Sequence, residues 1–332
     1  MGSAEMNTTM KTFLYRLGMA ALVAAAGNCA VAQPQDYPHK PIKAVQGFAV
    51  GGNADTIARL LGGEMSKTLK QPIVVEAVTG AGGTLGSAAV ARAAPDGYTI
   101  LLATGGHAVA GALYAKAPYE TVKGYEMIST ITYFPFLVVV NADSKLRNFQ
   151  DLLAAARSPE GLAYGTAGVG TTHHLAGELL AKMGKLKLLH IPYRGDAAST
   201  TALLGNQVPF TIAPATAVEG NIRSGKLRAL AVTGPSRWLA MPEIPTVAEQ
   251  GVPGYDVRSW AGWMAPAGTP AAIVNTLNEA TRQALLSPQV RSQLRTMGGE
   301  AQASSPKEMT TMVEHEFNKW KQVVNEAGIP KF

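Results

Sequence analysis

From Ile42 onward the chain alternates short apolar runs with amphipathic stretches of helical period, and this alternation constrains the fold more than any other feature. Apolar runs at 42–45, 73–75 and 99–102 read as strands, and 54–69 and 85–93 between them read as helices. The first helix places Ile57, Leu60, Leu61, Met65 and Leu69 on one face, with Asn53 positioned to cap it. A second set follows, with strands at 136–140, 162–165, 189–192, 208–212 and 227–232 and helices at 149–156, 174–183, 197–204 and 217–224. Residues 234–270 are rich in Pro and Gly and lack a period, so they read as a long connection across the surface. Three helices, at about 271–285, 289–297 and 306–327, close the chain. Repeated strand–helix–strand units predict parallel sheets flanked by helices, and 332 residues suffice for two such lobes.

Ahead of this pattern lies an address. Lys11 and Arg16 precede the apolar run 17–26, and Ala30-Val31-Ala32 follows as a small-residue cleavage site. The run is too short to span a bilayer, so cleavage after Ala32 is expected to release the remainder into an exported, aqueous compartment. Asn28 stands where lipidation of Cys29 would require a small residue, and no lipid anchor is expected. The leader carries off two cations, one anion and the only cysteine, so the net charge falls from +6 to +5. A mature chain without thiols excludes disulfides and thiolate chemistry. Lys and Arg are scattered singly from Lys67 to Lys321, which argues against nucleic acid and suits small anions.

Four uncharged segments rich in Gly, Ser and Thr each follow a predicted strand: 47–53, 80–84, 104–107 and 165–172. In open α/β sheets, ligands bind beyond the carboxyl ends of strands. The first and fourth segments lead directly into good helices, whose first N–H groups lack intrahelical partners and carry about half a positive charge, so both are ready anion sites. The alternative is that these glycines only make tight turns. Nucleotide fingerprints fail: Gly80-x-Gly82 reaches Leu85 and Gly168-x-Gly170 reaches His173 where a third Gly would stand, and no loop ends in Gly-Lys-Ser or Gly-Lys-Thr. His173-His174 with Glu178 lacks metal-site spacing, and no G-x-S-x-G elbow occurs. Asp55, Asp96 and Asp196 read as helix-start or turn residues, and Trp260 and Trp263 as core packing between lobes, with covering of a cleft as the alternative. Arg194 ends a strand and either pairs with a ligand carboxylate or braces its loop.

Ordered motifs then point to one family. They are Tyr37-Pro38 with Pro41-Ile42, Phe48-Ala49-Val50-Gly51-Gly52-Asn53-Ala54-Asp55, Gly80-Ala81-Gly82-Gly83-Thr84-Leu85-Gly86 and Ala94-Pro95-Asp96-Gly97-Tyr98-Thr99. Further on stand His173-His174-Leu175-Ala176-Gly177-Glu178-Leu179, Pro192-Tyr193-Arg194-Gly195, Gly225-Lys226-Leu227-Arg228-Ala229-Leu230-Ala231, Pro245-Thr246-Val247-Ala248-Glu249 and Ala265-Pro266-Ala267-Gly268-Thr269-Pro270. Over essentially all of the mature chain, this set resembles the periplasmic receptors of tripartite tricarboxylate transporters, often called Bug proteins.

The resemblance implies an α/β, two-lobed periplasmic binding protein-like fold of type II, each lobe a mostly parallel sheet flanked by helices, with a hinge of two crossover segments. It places one lobe at 36–136 and 257–332 and the other at 137–256. It implies capture of a small organic carboxylate in the cleft, chiefly by backbone N–H groups and hydroxyls. The positions are Phe48, Ala49, Gly51, Gly52 and Asn53, with Thr104, Gly105 and His107, facing Thr166, Ala167, Gly170, Thr171, Thr172, His173, Arg194 and Gly195. No catalytic residue, metal or cofactor is implied. The implied partners are two integral membrane transporter subunits, and the implied state is a periplasmic monomer. The alternatives are a ligand-sensing role beside a membrane sensor kinase and, further off, a periplasmic enzyme.

Two departures bear on the ligand. Gly47 and Val50 stand where the family usually has proline, so the first loop is expected to be less rigid. Thr211-Ile212-Ala213-Pro214 replaces what is often an aromatic-Asp-Asn run. Ala213 cannot accept from an ammonium, and the expectation is therefore a plain mono- or dicarboxylate, with an apolar or aromatic body allowed.

Overall fold

One long strand organises the molecule. In the computed structural model, β4 (Tyr125–Asn141) belongs to two sheets, pairing with β9 (Arg258–Pro266) as far as Pro135 and with β7 (Phe210–Pro214) from Phe136 on. The structure describes residues 37–331 apart from residue 327. The leader read at 1–32, with Cys29 and the cut after Ala32, lies outside the described residues.

In the first sheet, β1 (Ile42–Gln46) pairs parallel with β2 (Ile73–Ala77) and β3 (Thr99–Thr104). β9 lies antiparallel between β3 and β4, and the short β10 (Glu300–Ala301) adds to β4. In the second sheet, β5 (Leu162–Thr166) pairs parallel with β6 (Leu188–Pro192) and β7, while β4 is antiparallel to β7 and to β8 (Leu227–Val232). Consecutive strand–helix–strand units thus supply the parallel pairs, and the two crossing strands supply the antiparallel ones. Each sheet has its own core. Val45, Leu101, Tyr125, Trp260, Met264, Met309 and Val313 pack in the first, and Leu137, Val139, Leu203, Val208, Val218 and Trp238 in the second.

The two crossings meet at Thr233. Its hydroxyl donates to the Val257 carbonyl (2.7 Å) and accepts from the Phe136 N–H (2.8 Å), which joins the outgoing strand to the returning segment.

Helices form at each stretch where the period predicted them, and a further one, not predicted, forms at Gly105–Leu113. α1 (Asn53–Leu69) buries Ile57, Ala58, Leu61, Met65 and Leu69 and stops at Lys70, which is left-handed. The remaining helices in chain order are α2 (Thr84–Ala91), α3 (Gly105–Leu113), α4 (Phe149–Ala156), α5 (Thr172–Gly184), α6 (Asp196–Leu204), α7 (Ala215–Arg223), α8 (Ala271–Ala284), α9 (Pro288–Thr296) and α10 (Pro306–Glu326). α4 starts on a reciprocal Asn148/Asp151 capping box, and the Thr171 hydroxyl oxygen accepts from the His174 N–H at the start of α5 (3.4 Å). α8 and α10 pack back on the first sheet, where Asn278 Nδ2 donates to the Ile128 carbonyl (2.6 Å). No helix among the described residues is long and apolar enough to cross a membrane.

Three expectations need correction. Residues 234–270 are no surface connection: 258–266 form a central strand buried at every position after Arg258, and Trp238, Met241, Ile244, Val247 and Tyr255 are buried ahead of it. A strand covered on both faces shows no alternation, so its period is invisible in the sequence. Asn53 is the first helical residue, not the cap; Gly52 occupies the cap with extended backbone, and Asn53 Oδ1 accepts from the Thr216 hydroxyl (3.2 Å). The third glycine segment also opens a helix directly, since Gly105 is the first residue of α3.

Candidate functional site

Five helix starts surround one cavity between the two sheets. Its wall contains Asn53 and Ala54 from the start of α1, Gly106 from α3, Thr172 and His173 from α5, Asp196 from α6, and Pro214, which precedes α7. Thr104 and Thr171 stand at the caps of α3 and α5. Phe48, Phe134, Phe136 and Ser259 complete the wall. The cavity holds about 40 Å³, room for a few water-sized groups. Beyond Phe48 it adjoins a wider cleft of about 550 Å³ between loops 47–49 and 79–83 on one side and 167–169 and 192–195 on the other.

Side chains hold the first loop from both ends. Gln46 is fully buried and brackets Phe48, accepting its N–H (2.7 Å) and donating to its carbonyl (2.9 Å). Asp55 accepts the Gly51 N–H (3.0 Å) while Arg59 donates to both of its oxygens (2.9 and 3.1 Å). Burial raises the Asp55 carboxyl, but the hydrogen bonds from Arg59 and Gly51 outweigh it and hold the group below its ordinary value. Side chains thereby supply the restraint that Gly47 and Val50, standing in place of prolines, do not. Asp55 is a helix-start residue, as its sequence context suggested.

Within the first sheet the Ser259 hydroxyl accepts the Gly105 N–H (3.2 Å), and it lies 3.5 Å from the Thr172 hydroxyl. A Cβ on Gly105 would stand 2.8 Å from both hydroxyl oxygens, so only glycine permits this approach.

No Lys or Arg lines the cavity, and its two titratable groups are His173 and Asp196. The Ala167 N–H donates to His173 Nε2 (2.9 Å), which makes Nε2 the lone-pair nitrogen. Burial, reinforced by neighbouring His174, pushes His173 down to about 3, so the ring is neutral. Asp196 Oδ1 lies 3.5 Å from the same Nε2 and has no hydrogen-bond partner. This approach is not an ion pair, because Nε2 already accepts from Ala167 and carries no proton to give. The Asp196 side chain keeps 18% of its exposure, and burial pushes its carboxyl up to about 7.

Of the residues singled out from sequence, Phe48, Asn53, Thr104, Thr171, Thr172 and His173 line the cavity. Ala49, Ala167, Arg194 and Gly195 line the adjoining cleft, where Arg194 is exposed and has no hydrogen-bond partner among the described residues. Gly51, Gly52, Gly105, His107, Thr166 and Gly170 line neither. The His107 ring is engaged elsewhere: Nε2 donates to the Thr121 carbonyl (2.9 Å), Nδ1 faces the Ser87 hydroxyl (3.1 Å), and the ring stacks on Tyr119. Thr166 faces His190 (2.6 Å). Trp260 and Trp263 are core residues of β9 and are fully buried. Phe134, Phe136, Ser259 and Asp196 are wall residues that sequence reasoning did not place. Phe134 and Ser259 come from segments with no predicted strand, Phe136 opens the predicted strand 136–140 but carried no site reading, and Asp196 reads from sequence as a helix-start or turn residue. Ala213 supplies no carboxylate, as read, but Asp196 brings one into the cavity, so the argument for a plain carboxylate loses its premise.

Comparison with known proteins agrees with this geometry. The family model described as tripartite tricarboxylate transporter family receptor matches residues 57–329. The structure of the periplasmic binding protein BugD superposes with a TM-score of 0.84 at 34% identity, covering 89% of this chain and 100% of that one. MatC from Rhodopseudomonas palustris with bound malate gives 0.82 at 33%, covering 87% and 100%. A further R. palustris protein with adipate gives 0.84 at 32%, covering 89% and 100%.

Proposed function

This chain belongs to the tripartite tricarboxylate transporter receptor family, and from that premise we propose that it captures a small organic carboxylate between its lobes and delivers it to the membrane subunits of such a transporter. The family and its structural neighbours are solute-binding proteins rather than enzymes. Two of those neighbours hold malate and adipate, both carboxylates. The observation that carries the reading is the convergence of helix starts on a cavity without Lys or Arg. Oriented N–H groups and hydroxyls then replace the water lost by the anion. We assign the lobes to 36–136 with 257–332 and to 137–256, and the export signal to 1–32, which places the mature protein in the periplasm. Loops 47–53 and 104–107 form one jaw, and 165–173 with Arg194 and Gly195 form the other.

A panel of organic acids tested by thermal shift on the mature protein checks this. A ligand at about a hundred times its Kd stabilises the folded state by about 2.7 kcal/mol, and a chain of this size should gain at least about 2 °C in Tm. No shift with any carboxylate, together with a shift by an uncharged or cationic solute, would overturn the proposal.

Gly105 stands against Thr172 of the other lobe, where an added Cβ would lie 2.8 Å from the Thr172 hydroxyl oxygen, so Gly105→Ala should wedge the lobes apart. Calorimetry should read a roughly tenfold weaker Kd with little change in the Tm of the free protein. An unchanged Kd would show that this contact is not part of the liganded state.

A further inference from the structure

We infer that Asp196 selects the ligand class within the carboxylate-capture reading on which this rests: the bound acid carries a hydroxyl or an ammonium beside its carboxylate, and this donor bonds to Asp196. The inference starts from an unsatisfied atom. Asp196 Oδ1 is buried against the cavity and accepts no hydrogen bond. The nearest polar atom, His173 Nε2 at 3.5 Å, holds its lone pair toward the Ala167 N–H and cannot donate. When Asp196 is ionised, as it mostly is above pH 7, two acceptors therefore face each other with no donor from the protein between them.

A buried acceptor without a donor is costly, and native structures leave few. Asp196 lines the cavity itself, so a donor on the ligand can reach Oδ1 and replace any water there. The opposite wall offers the start of α1 at Asn53 and Ala54, whose first N–H groups lack intrahelical partners and suit the carboxylate. With room for only a few water-sized groups between these walls, the donor must sit within a bond or two of the carboxylate. Burial of Asp196 points the same way. Burial disfavours the charged form and pushes the carboxyl up to about 7, and an ammonium from the ligand would offset that cost. A plain second carboxylate at this place would instead set two anions side by side.

Matched acids isolate the donor. Calorimetry at pH 7.5 with succinate, malate and aspartate, and with the corresponding three-carbon and five-carbon sets, compares hydrogen, hydroxyl and ammonium on one frame. The wild-type protein should bind a hydroxy or amino member at least tenfold more tightly than its plain counterpart. Whichever of the two wins identifies the donor. Asp196→Ala should compress that preference to within about threefold. Asp196→Asn keeps an acceptor oxygen but no charge, so it should retain a hydroxyl preference and lose an ammonium preference. Tm values of the free variants control for folding, and the Asn variant keeps the shape of the original side chain. Plain acids binding as tightly as both substituted ones, or a preference unchanged in Asp196→Ala, would overturn the role of Asp196 and leave carboxylate capture standing. Absence of binding across all three sets would overturn this inference and leave the carboxylate reading to the wider panel of organic acids.

Discussion

Gly52→Asp should abolish ligand binding while leaving the fold intact. Gly52 caps α1 with φ −75° and ψ 175°, an extended conformation open to any residue. An added Cβ meets only the Ala49 carbonyl oxygen, at 3.1 Å, so a slight shift accommodates it. Aspartate is a strong N-cap, and its carboxylate would accept the N–H groups of the first helical turn, adding about 0.5–1 kcal/mol to the helix. Those N–H groups are the ones proposed to hold the ligand. The substitution thus occupies the donors and adds a like charge, which at about 4 Å and intermediate dielectric costs about 4 kcal/mol, close to a thousandfold in Kd. The Tm of the free protein should be unchanged or higher, and the ligand-induced shift should vanish. Gly52→Ala leaves the N–H groups uncovered and should bind within a few fold of wild type. A full ligand response in Gly52→Asp would move the anion away from the start of α1.

The legible and illegible parts of this fold divide by burial. α4 at 149–156 stands where the pattern put it, because it has one covered and one open face and so prints its period on the sequence, and β8 at 227–232 stands where a short apolar run marked it. β9 and the first half of β4 are covered on both sides, and in a strand of that kind apolar residues occupy successive positions without alternation. The same blindness hid part of the site, since Phe134 and Ser259 belong to the stretch where β4 and β9 pair. The glycine loops were legible because the absence of charge beside a helix start is itself a signal for an anion. Asp196 was half legible. Its place at the first position of α6 is a local property that sequence context conveys, whereas its opening onto the cavity depends on how that helix faces the opposite lobe. His107 shows the converse: a residue type suited to ligands stood in a suitable segment, but Thr121 and Ser87, brought in by the fold, took both ring nitrogens.

Acid should unfold this protein steeply, and the buried histidines set the window. Burial lowers His107 and His174 to about 4 and His173 and His190 to about 3, against an ordinary value of 6.5. Each folded-state pKa is depressed, so the unfolded chain takes up protons that the native state refuses as pH falls below 6.5. Stability is therefore complete above that value, declines through the interval from 6.5 to about 4, and levels off only once the native rings also protonate. Each ring contributes about 1.4 kcal/mol per pH unit within the interval. Asp196 acts with the opposite sign: raised to about 7 from 3.8, it holds a proton in the native state that the unfolded chain releases, so it adds stability as pH falls through 7 and offsets about one histidine. Glu178, raised by burial, works in the same direction over a narrower range. A net uptake of two to three protons on unfolding remains, or about 3–4 kcal/mol per pH unit. A total stability in the lower part of the usual range, about 5–10 kcal/mol, is exhausted within about one and a half to three such units, which puts the acid midpoint between about pH 3.5 and 5. Urea denaturation at pH 7, 6 and 5 measures the slope directly. A stability that stays level from pH 7 to 5 would show that these rings are solvated or ion-paired in the native protein, and the stacked pair His174 and His190, 3.9 Å apart under the α5 helix start, would then have to separate or admit water.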